Sequence, residues 1–268
     1  MTVRGPDGEP DAVVVAGVHG DEPSGVRAIE RVRDRDPGFR RTVAFVRANP
    51  PALAAGRRYV DADLNRVFPG DPGSDDLERR LAARLCGLVA DRPTLSLHAT
   101  HSQPEPLALV SRDHPRAGEL AARLPTPAVV DVAGVVDGSL TTCAPVVTVE
   151  AGCQHSDAAA DTATRMVEAF LGLIGAVPGD PPAGDPIFYG LDGVVEKPDW
   201  ADGALACDDV FDLRAGNFEH VPAGEELVAD EPFVPVLMSE CGYRDIFGYR
   251  GHVAGETLAE ARDHWTSG

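Results

Sequence analysis

Between Ala12 and Ile174 short β-branched runs alternate with stretches of helical period, and few folds accept that pattern. Ala12–Gly17 (AVVVAG) is apolar and closed by glycine, so it reads as a buried strand ending in a loop that carries His19. Pro23 and Ser24 open a helix with Val26, Ile29 and Val32 on one side, closed before Pro37, and Thr42–Arg47 reads as the next strand. Asn49–Pro72 is rich in Pro, Gly, Arg and Asp without a sustained period, as expected of a long ordered loop, the kind that commonly carries function. Asp75–Asp91 follows as a helix with Leu77, Leu81, Leu85 and Leu88 on one face. Pro93–His98, Leu107–Ser111, Ala128–Val132 and Val146–Glu150 read as strands, with helices over Pro115–Leu124 and Ser156–Ile174. Strands alternating with helices predict an α/β layer sandwich around a largely parallel sheet.

From Pro178 to Pro186 the composition shifts to Pro, Gly and Asp, and helical periodicity fades beyond it. Ile187–Val195, Asp209–Leu213, Leu227–Ala229 and Val234–Met238 read as strands between Gly and Pro turns. The expectation is two domains, an α/β one over residues 1–180 and a small β-rich one over 183–268. No run approaches the ~18–20 uncharged apolar residues of a membrane span, and Met1–Asp11 is acidic and polar, so a soluble, unexported, cytoplasmic protein is expected.

The five cysteines (Cys86, Cys143, Cys153, Cys207, Cys241) are odd in number, widely spaced and without a CxxC pair, and are expected to be buried free thiols. Net charge is −19 and Lys197 is the only lysine, which leaves no basic footprint for a phosphate backbone and excludes nucleic acid as a partner. An Asp-rich, Lys-poor chain also resembles proteins of salt-loving organisms, in which concentrated salt screens the self-repulsion. On that halophilic reading the unfolding midpoint rises between low and molar salt, and a flat response would contradict it.

Chemistry concentrates at Gly17-Val18-His19-Gly20-Asp21-Glu22-Pro23. A His and a Glu three apart at a strand-to-helix junction can turn both side chains to one ion, and imidazole nitrogen with carboxylate oxygen suits zinc at roughly 2.0–2.2 Å. A catalytic zinc keeps three protein ligands and an open position, so a third ligand must come from elsewhere. His98, closing the run Leu95-Ser96-Leu97-His98, is the natural candidate, far enough along the chain to belong to a neighbouring parallel strand. Taken alone, His19 with Glu22 also fits a surface ion pair, and His98 a satisfied buried histidine.

Further motifs follow in order: Asn49-Pro50, Arg58-Tyr59, Asp63-Leu64-Asn65-Arg66, Leu97-His98, Val149-Glu150-Ala151-Gly152, and late in the chain Pro235-Val236 through Glu240 to Tyr243. With them the chain resembles the aspartoacylase and succinylglutamate desuccinylase family, relatives of the zinc carboxypeptidases, over nearly its whole length. The resemblance implies a zinc-carboxypeptidase-like α/β/α sandwich with a mostly parallel mixed sheet, its cleft capped by the small C-terminal domain. It implies one zinc ion per chain held by His19, Glu22 and His98, with Glu150 as general base towards water. Arg58 is similar to the family's electrophilic arginine at the scissile carbonyl, with Arg57 as a rival. Asn65 and Arg66 resemble a clamp for a substrate carboxylate, and Tyr243, supported by Glu240, a tyrosine that reaches over from the C-terminal domain.

The expected partner is therefore a small N-acyl amino acid, N-acetyl or N-succinyl, hydrolysed at its amide; a homo-oligomer is left open. A metallocarboxypeptidase acting on peptides and a non-catalytic metal- or metabolite-binding relative are the competing readings. Two departures from the family pattern bear on substrate and metal. Ser96 stands where relatives carry an aspartate two residues before the third ligand, and Gly138–Thr148 lacks the further carboxylate-binding arginine of aspartoacylases. A substrate with one carboxylate is thus expected over N-acetylaspartate, unless Arg244 replaces the missing arginine. His101 and His155 flank the motifs without a firm role. His114, His220, His252 and His264 show no partner pattern, and no His/Asp spacing makes Cys153 a nucleophile.

Overall fold

A computed structural model describes residues 1–181, 183–197, 215–223, 231–239 and 246–267. Every residue of Ala12–Ala16 (β2) is buried, as a strand covered on both faces requires. Alternation divides it: Ala12, Val14 and Ala16 join one core cluster, and Val13 and Val15 another. The first cluster is completed by Ser24–Arg35 (α1) and Asp157–Leu173 (α6), the second by Leu77–Val89 (α3). This is the helix–sheet–helix sandwich expected from the sequence.

Five further strands surround β2: Thr2–Arg4 (β1), Val43–Arg47 (β3), Thr94–Thr100 (β4), Leu107–Val110 (β5) and Ala128–Asp131 (β6). Val146–Cys153 (β7), Ile187–Glu196 (β8), Val234–Val236 (β9) and Ile246–Gly255 (β10) complete a ten-stranded sheet among the described residues. Its order is β1, β3, β2, β4, β7, β5, β6, β8, β10, β9. The run β3–β2–β4–β7 is parallel, as are β5–β6 and β6–β8, while β1, β5 against β7, and the β8–β10–β9 edge pair antiparallel. Because β8 runs parallel beside β6, the sheet continues across the Pro- and Gly-rich linker.

Several elements depart from the sequence reading. Within the segment read as a loop, Pro50–Ala55 (α2) forms a helix because Asn49 Oδ1 caps the Ala52 N–H and proline occupies its first positions, and Leu64–Arg66 makes a 3₁₀ turn. Leu140–Cys143 (α5) is a further short helix, capped by Ser139. β10 was hidden because Gly248, Gly251 and Gly255 look like turns; each follows a register shift against β8, so they mark irregularities in one bent strand. Helical structure returns in Leu258–Ser267 (α7), where Ala261 and Trp265 are the buried side chains among those described, so the segment carries little periodicity. The strands expected over Asp209–Leu213 and Leu227–Ala229 lie outside the described residues.

The free-thiol reading is corrected for two cysteines. Cys86 on α3 and Cys143 on α5 form a disulfide, with Cα atoms 6.7 Å apart, because both short helices pack on the same face of the sheet. Cys153 is free, and Cys207 and Cys241 lie outside the described residues. No helix among the described residues is long and apolar enough to cross a membrane.

One buried carboxylate organises the loop beside the site. Glu78, in the first turn of α3, is fully buried and accepts hydrogen bonds from Asn49 Nδ2 and from the backbone N–H groups of Val60, Asp61 and Ala62, at 2.7–3.1 Å. Burial pushes its pKa up, but these donors outweigh burial and hold it below the ordinary 4.5. Glu78→Gln presents an NH₂ group to donors that need an acceptor, and should cost about 2–3 kcal/mol by urea unfolding at pH 7. Since the native pKa is lowered, the stabilisation is present above 4.5 and lost as pH falls through the native value, so the two unfolding curves should converge in acid. A constant gap at all pH values would contradict this role.

Candidate metal centre and active-site cavity

Strand alternation puts the decisive side chains on one face. Leu95 and Leu97 of β4, with Val147 and Val149 of β7, face the α1/α6 layer, so Ser96, His98, Thr148 and Glu150 face the other way. His98 and Glu150 are direct register partners in the parallel β4–β7 pair. His19 and Glu22 arrive from the loop after β2, which pairs with β4 on its other side. The loop is folded tightly: Gly20 donates its N–H to the Arg58 carbonyl, and a Cβ there would collide with the Ala52 and Arg57 carbonyl oxygens. A side chain at Gly25 would likewise meet Leu97, so glycine lets α1 settle against β4.

His19, Glu22 and His98 are all buried and bring one potential ligand atom each to within 4.8 Å of the others. His19 Nδ1 lies 2.6 Å from Glu22 Oε1, and His98 Nδ1 3.1 Å from Glu22 Oε2. The second His19 nitrogen lies 3.2 Å from Asp63 Oδ1, which fixes the ring. Glu22 Oε2 also accepts from the Ala99 N–H, and Gln154 Nε2 reaches Glu22 Oε1 at 3.4 Å. Burial disfavours a charged imidazole at His19, yet the Glu22 and Asp63 carboxylates prevail and its pKa is raised. Burial alone would raise Glu22 too, but the two imidazoles hold it well below the usual carboxylate range.

Two buried polar atoms at this cluster have no hydrogen-bond partner among the described residues: His98 Nε2 and Glu150 Oε2. Unpartnered buried polar atoms are costly, and at such a cluster they point to a missing ligand. Two imidazoles and one carboxylate fit a divalent cation, and the mixed N/O donor set fits zinc. Ser96 is buried with an unpartnered Oγ, so no carboxylate stands in its place beside His98.

Glu150 keeps partial exposure at the cavity while its Oε2 is sequestered, and burial, helped by the neighbouring Glu22 charge, pushes its pKa up to about 7. Arg58 lines the same cavity, with Nε 3.1 Å from Asp63 Oδ2 and Nη1 3.3 Å from Glu22 Oε1; Arg57 is exposed and does not line it. Asn65 and Arg66 are also at the cavity. Asn65 Oδ1 is taken by the Leu140 N–H, so its NH₂ group is what it can offer a ligand. Arg66 has no carboxylate partner among the described residues, although the chain is rich in acids; its Nη1 donates only to the Asn65 carbonyl. Tyr243, Glu240 and Arg244 lie outside the described residues.

Sequence reasoning gave no role to Asp63 and Gln154. Asp63 was visible inside the Asp63-Leu64-Asn65-Arg66 run, whereas nothing in the sequence singles out Gln154. The contribution of β10 to the cavity, through Phe247 and Tyr249, was missed together with the strand. His101 lines the cavity, His114 Nε2 meets the Thr142 carbonyl, and His252 pairs with Asp192 and stacks near His264.

The geometry can be compared with known proteins. The family model of the succinylglutamate desuccinylase/aspartoacylase catalytic domain matches residues 8–175, more than half of the chain. The chain belongs to this family. Its relatives include a protein named probable aspartoacylase from Parasynechococcus marenigrum, 33% identical over 126 residues, which are 42% of each chain. The N-alpha-acetyl-L-2,4-diaminobutyric acid deacetylase of Halomonas elongata is 37% identical over 76 residues, 26% of this chain and 22% of the relative. The matched stretches thus span less than half the length of these curated relatives. The crystal structure of a succinylglutamate desuccinylase/aspartoacylase from Rhodobacter sphaeroides shares the fold, with a TM-score of 0.69 at 20% identity, covering 92% of this chain and 86% of that one. The His19, Glu22 and His98 cluster lies at the carboxyl ends of the adjacent parallel strands β2 and β4, where α/β sheets place their chemistry.

Proposed function

We propose that this member of the family is a zinc-dependent amidohydrolase that removes an N-acetyl or N-succinyl group from a small amino acid. The observation that carries the reading is the buried His19–Glu22–His98 cluster with Glu150 as lateral neighbour of His98, its Oε2 unpartnered. Zinc held by His19, Glu22 and His98 would supply a Lewis acid that lets water lose a proton near neutral pH. The remaining work falls to side chains of this chain. Arg66 and the Asn65 NH₂ group hold the substrate carboxylate, a task suited to a guanidinium with no carboxylate partner among the described residues. Arg58 sets fixed positive charge beside the scissile carbonyl oxygen as negative charge develops there. Glu150 takes a proton from the attacking water and returns it to the amide nitrogen as the C–N bond breaks, giving a carboxylate and a free amine.

Residues of β8, β9 and β10 line the cavity beside the cluster, which favours a bounded pocket for a small molecule over an open groove for polypeptide. We assign this C-terminal segment the role of narrowing the cleft. Amine release should be measured on a panel of N-acetyl and N-succinyl amino acids and on blocked di- and tripeptides. Turnover of the acyl amino acids alone is the expected result. Efficient trimming of peptides would make the protein a carboxypeptidase, and inertness towards the whole panel would favour a binding role.

A further inference from the structure

The cavity is ionic at one end only. His19, Glu22, Arg58, Arg66, His98 and Glu150 gather at the cluster and the loop beside it. The opposite wall comes from Leu109 of β5, Val130 and Val132 at the end of β6, Leu191 of β8 and Val236 of β9, with Phe247 and Tyr249 of β10 alongside. Among the described residues, no charged side chain from β5, β6, β8, β9 or β10 lines the cavity. Leu109, Val130, Val132, Leu191 and Val236 belong to one apolar cluster, in which Val130, Val132, Leu191 and Val236 are buried; Leu109, Phe247 and Tyr249 keep partial exposure and form the accessible part of the wall.

The segment that follows β6 adjoins the proposed carboxylate clamp and lines the same cavity as the wall. The Gly138 carbonyl accepts from the Phe68 N–H, a side chain on Gly138 would strike the Arg66 carbonyl, and the Leu140 N–H holds Asn65. Val136, two residues before Gly138, lines the cavity as well. A carboxylate at Arg66 therefore leaves the neighbouring side chain of the same amino acid to meet aliphatic and aromatic groups. A second carboxylate or an ammonium placed there would lose its water without gaining an opposite charge from the described residues of these strands.

Taking the carboxylate clamp of the proposed function as given, we infer that the substrate is an N-acyl amino acid with an apolar side chain of leucine or phenylalanine size, seated against Leu109, Phe247 and Tyr249. Acidic and basic amino acids are the disfavoured class.

Binding and turnover test this separately. Calorimetric titration of the zinc-supplemented Glu150→Gln protein should be run with N-acetyl-L-leucine, N-acetyl-L-alanine, N-acetyl-L-aspartate and N-acetyl-L-lysine. The leucine compound should bind at least about tenfold tighter than each of the others, since one methylene in an apolar pocket is already worth about tenfold or more. Adding Leu109→Ala, with folding checked by its melting curve, should remove about tenfold from leucine affinity and leave alanine affinity nearly unchanged. Aspartate or lysine compounds binding as tightly as leucine, or no compound binding, would overturn the inference. Turnover by the unaltered protein decides the hydrolase reading independently: tight apolar binding without amine release sinks that reading alone, and hydrolysis of charged substrates only sinks this one alone.

Discussion

Glu150→Gln is expected to keep the cation site and to lower kcat by roughly 10²–10⁴, the usual worth of a positioned general base. Glu150 is not one of the three converging donors, so removing its charge leaves His19, Glu22 and His98 as they are. The amide retains shape and one acceptor oxygen but cannot take a proton from water. Burial lifts the carboxyl to about 7, far above an ordinary glutamate, which suits a group that must accept and then surrender a proton near neutrality. A cation held by His19, Glu22 and His98 would pull the same carboxyl down and favour its ionised, proton-accepting form. Metal analysis beside steady-state kinetics separates the roles: equal loss of zinc and activity would make Glu150 a ligand, and unchanged kcat would remove it from the chemistry.

His98→Ala should have the opposite profile. Two donors remain on the loop after β2, and two seldom hold a catalytic zinc, so affinity is expected to fall by more than about a hundredfold. That exceeds the roughly 10–100-fold cost of losing a group that merely supports a ligand, the effect expected for Asp63→Ala, since Asp63 touches His19 through its second nitrogen. Ser96→Ala should leave zinc affinity unchanged, because the Ser96 hydroxyl has no partner in the site. Zinc titration against a competing chelator ranks the three. Retention of full zinc affinity by His98→Ala would take His98 out of the cluster.

The helix–sheet–helix architecture was legible because it rests on local periodicity: β2 and β3 are apolar or nearly so, as strands covered on both faces must be, and β4 and β7 keep apolar residues at alternate positions. The His19–Glu22 pair and His98 were legible for a related reason, since each sits where a strand gives way to a loop. What stayed hidden depends on tertiary context. α2 and α5 are too short to show a period and exist through the Asn49 and Ser139 caps. The Cys86–Cys143 disulfide joins residues 57 apart that only packing brings together. β10 carries glycines that suit an irregular strand as well as a turn, and with it went the Phe247 and Tyr249 side of the cavity. The anchoring of the loop by Glu78 was visible only as an acid in the first turn of a helix, a place where acids are common for electrostatic reasons alone.

Amine release from the preferred N-acyl amino acid, followed as zinc is returned to chelator-stripped protein, tests the central claim most directly. Activity should be absent from the stripped protein and recover linearly until about one zinc per chain, with no recovery in His98→Ala at the same zinc concentration. Undiminished hydrolysis by the stripped protein, or full recovery in His98→Ala, would contradict a hydrolase built on His19, Glu22 and His98.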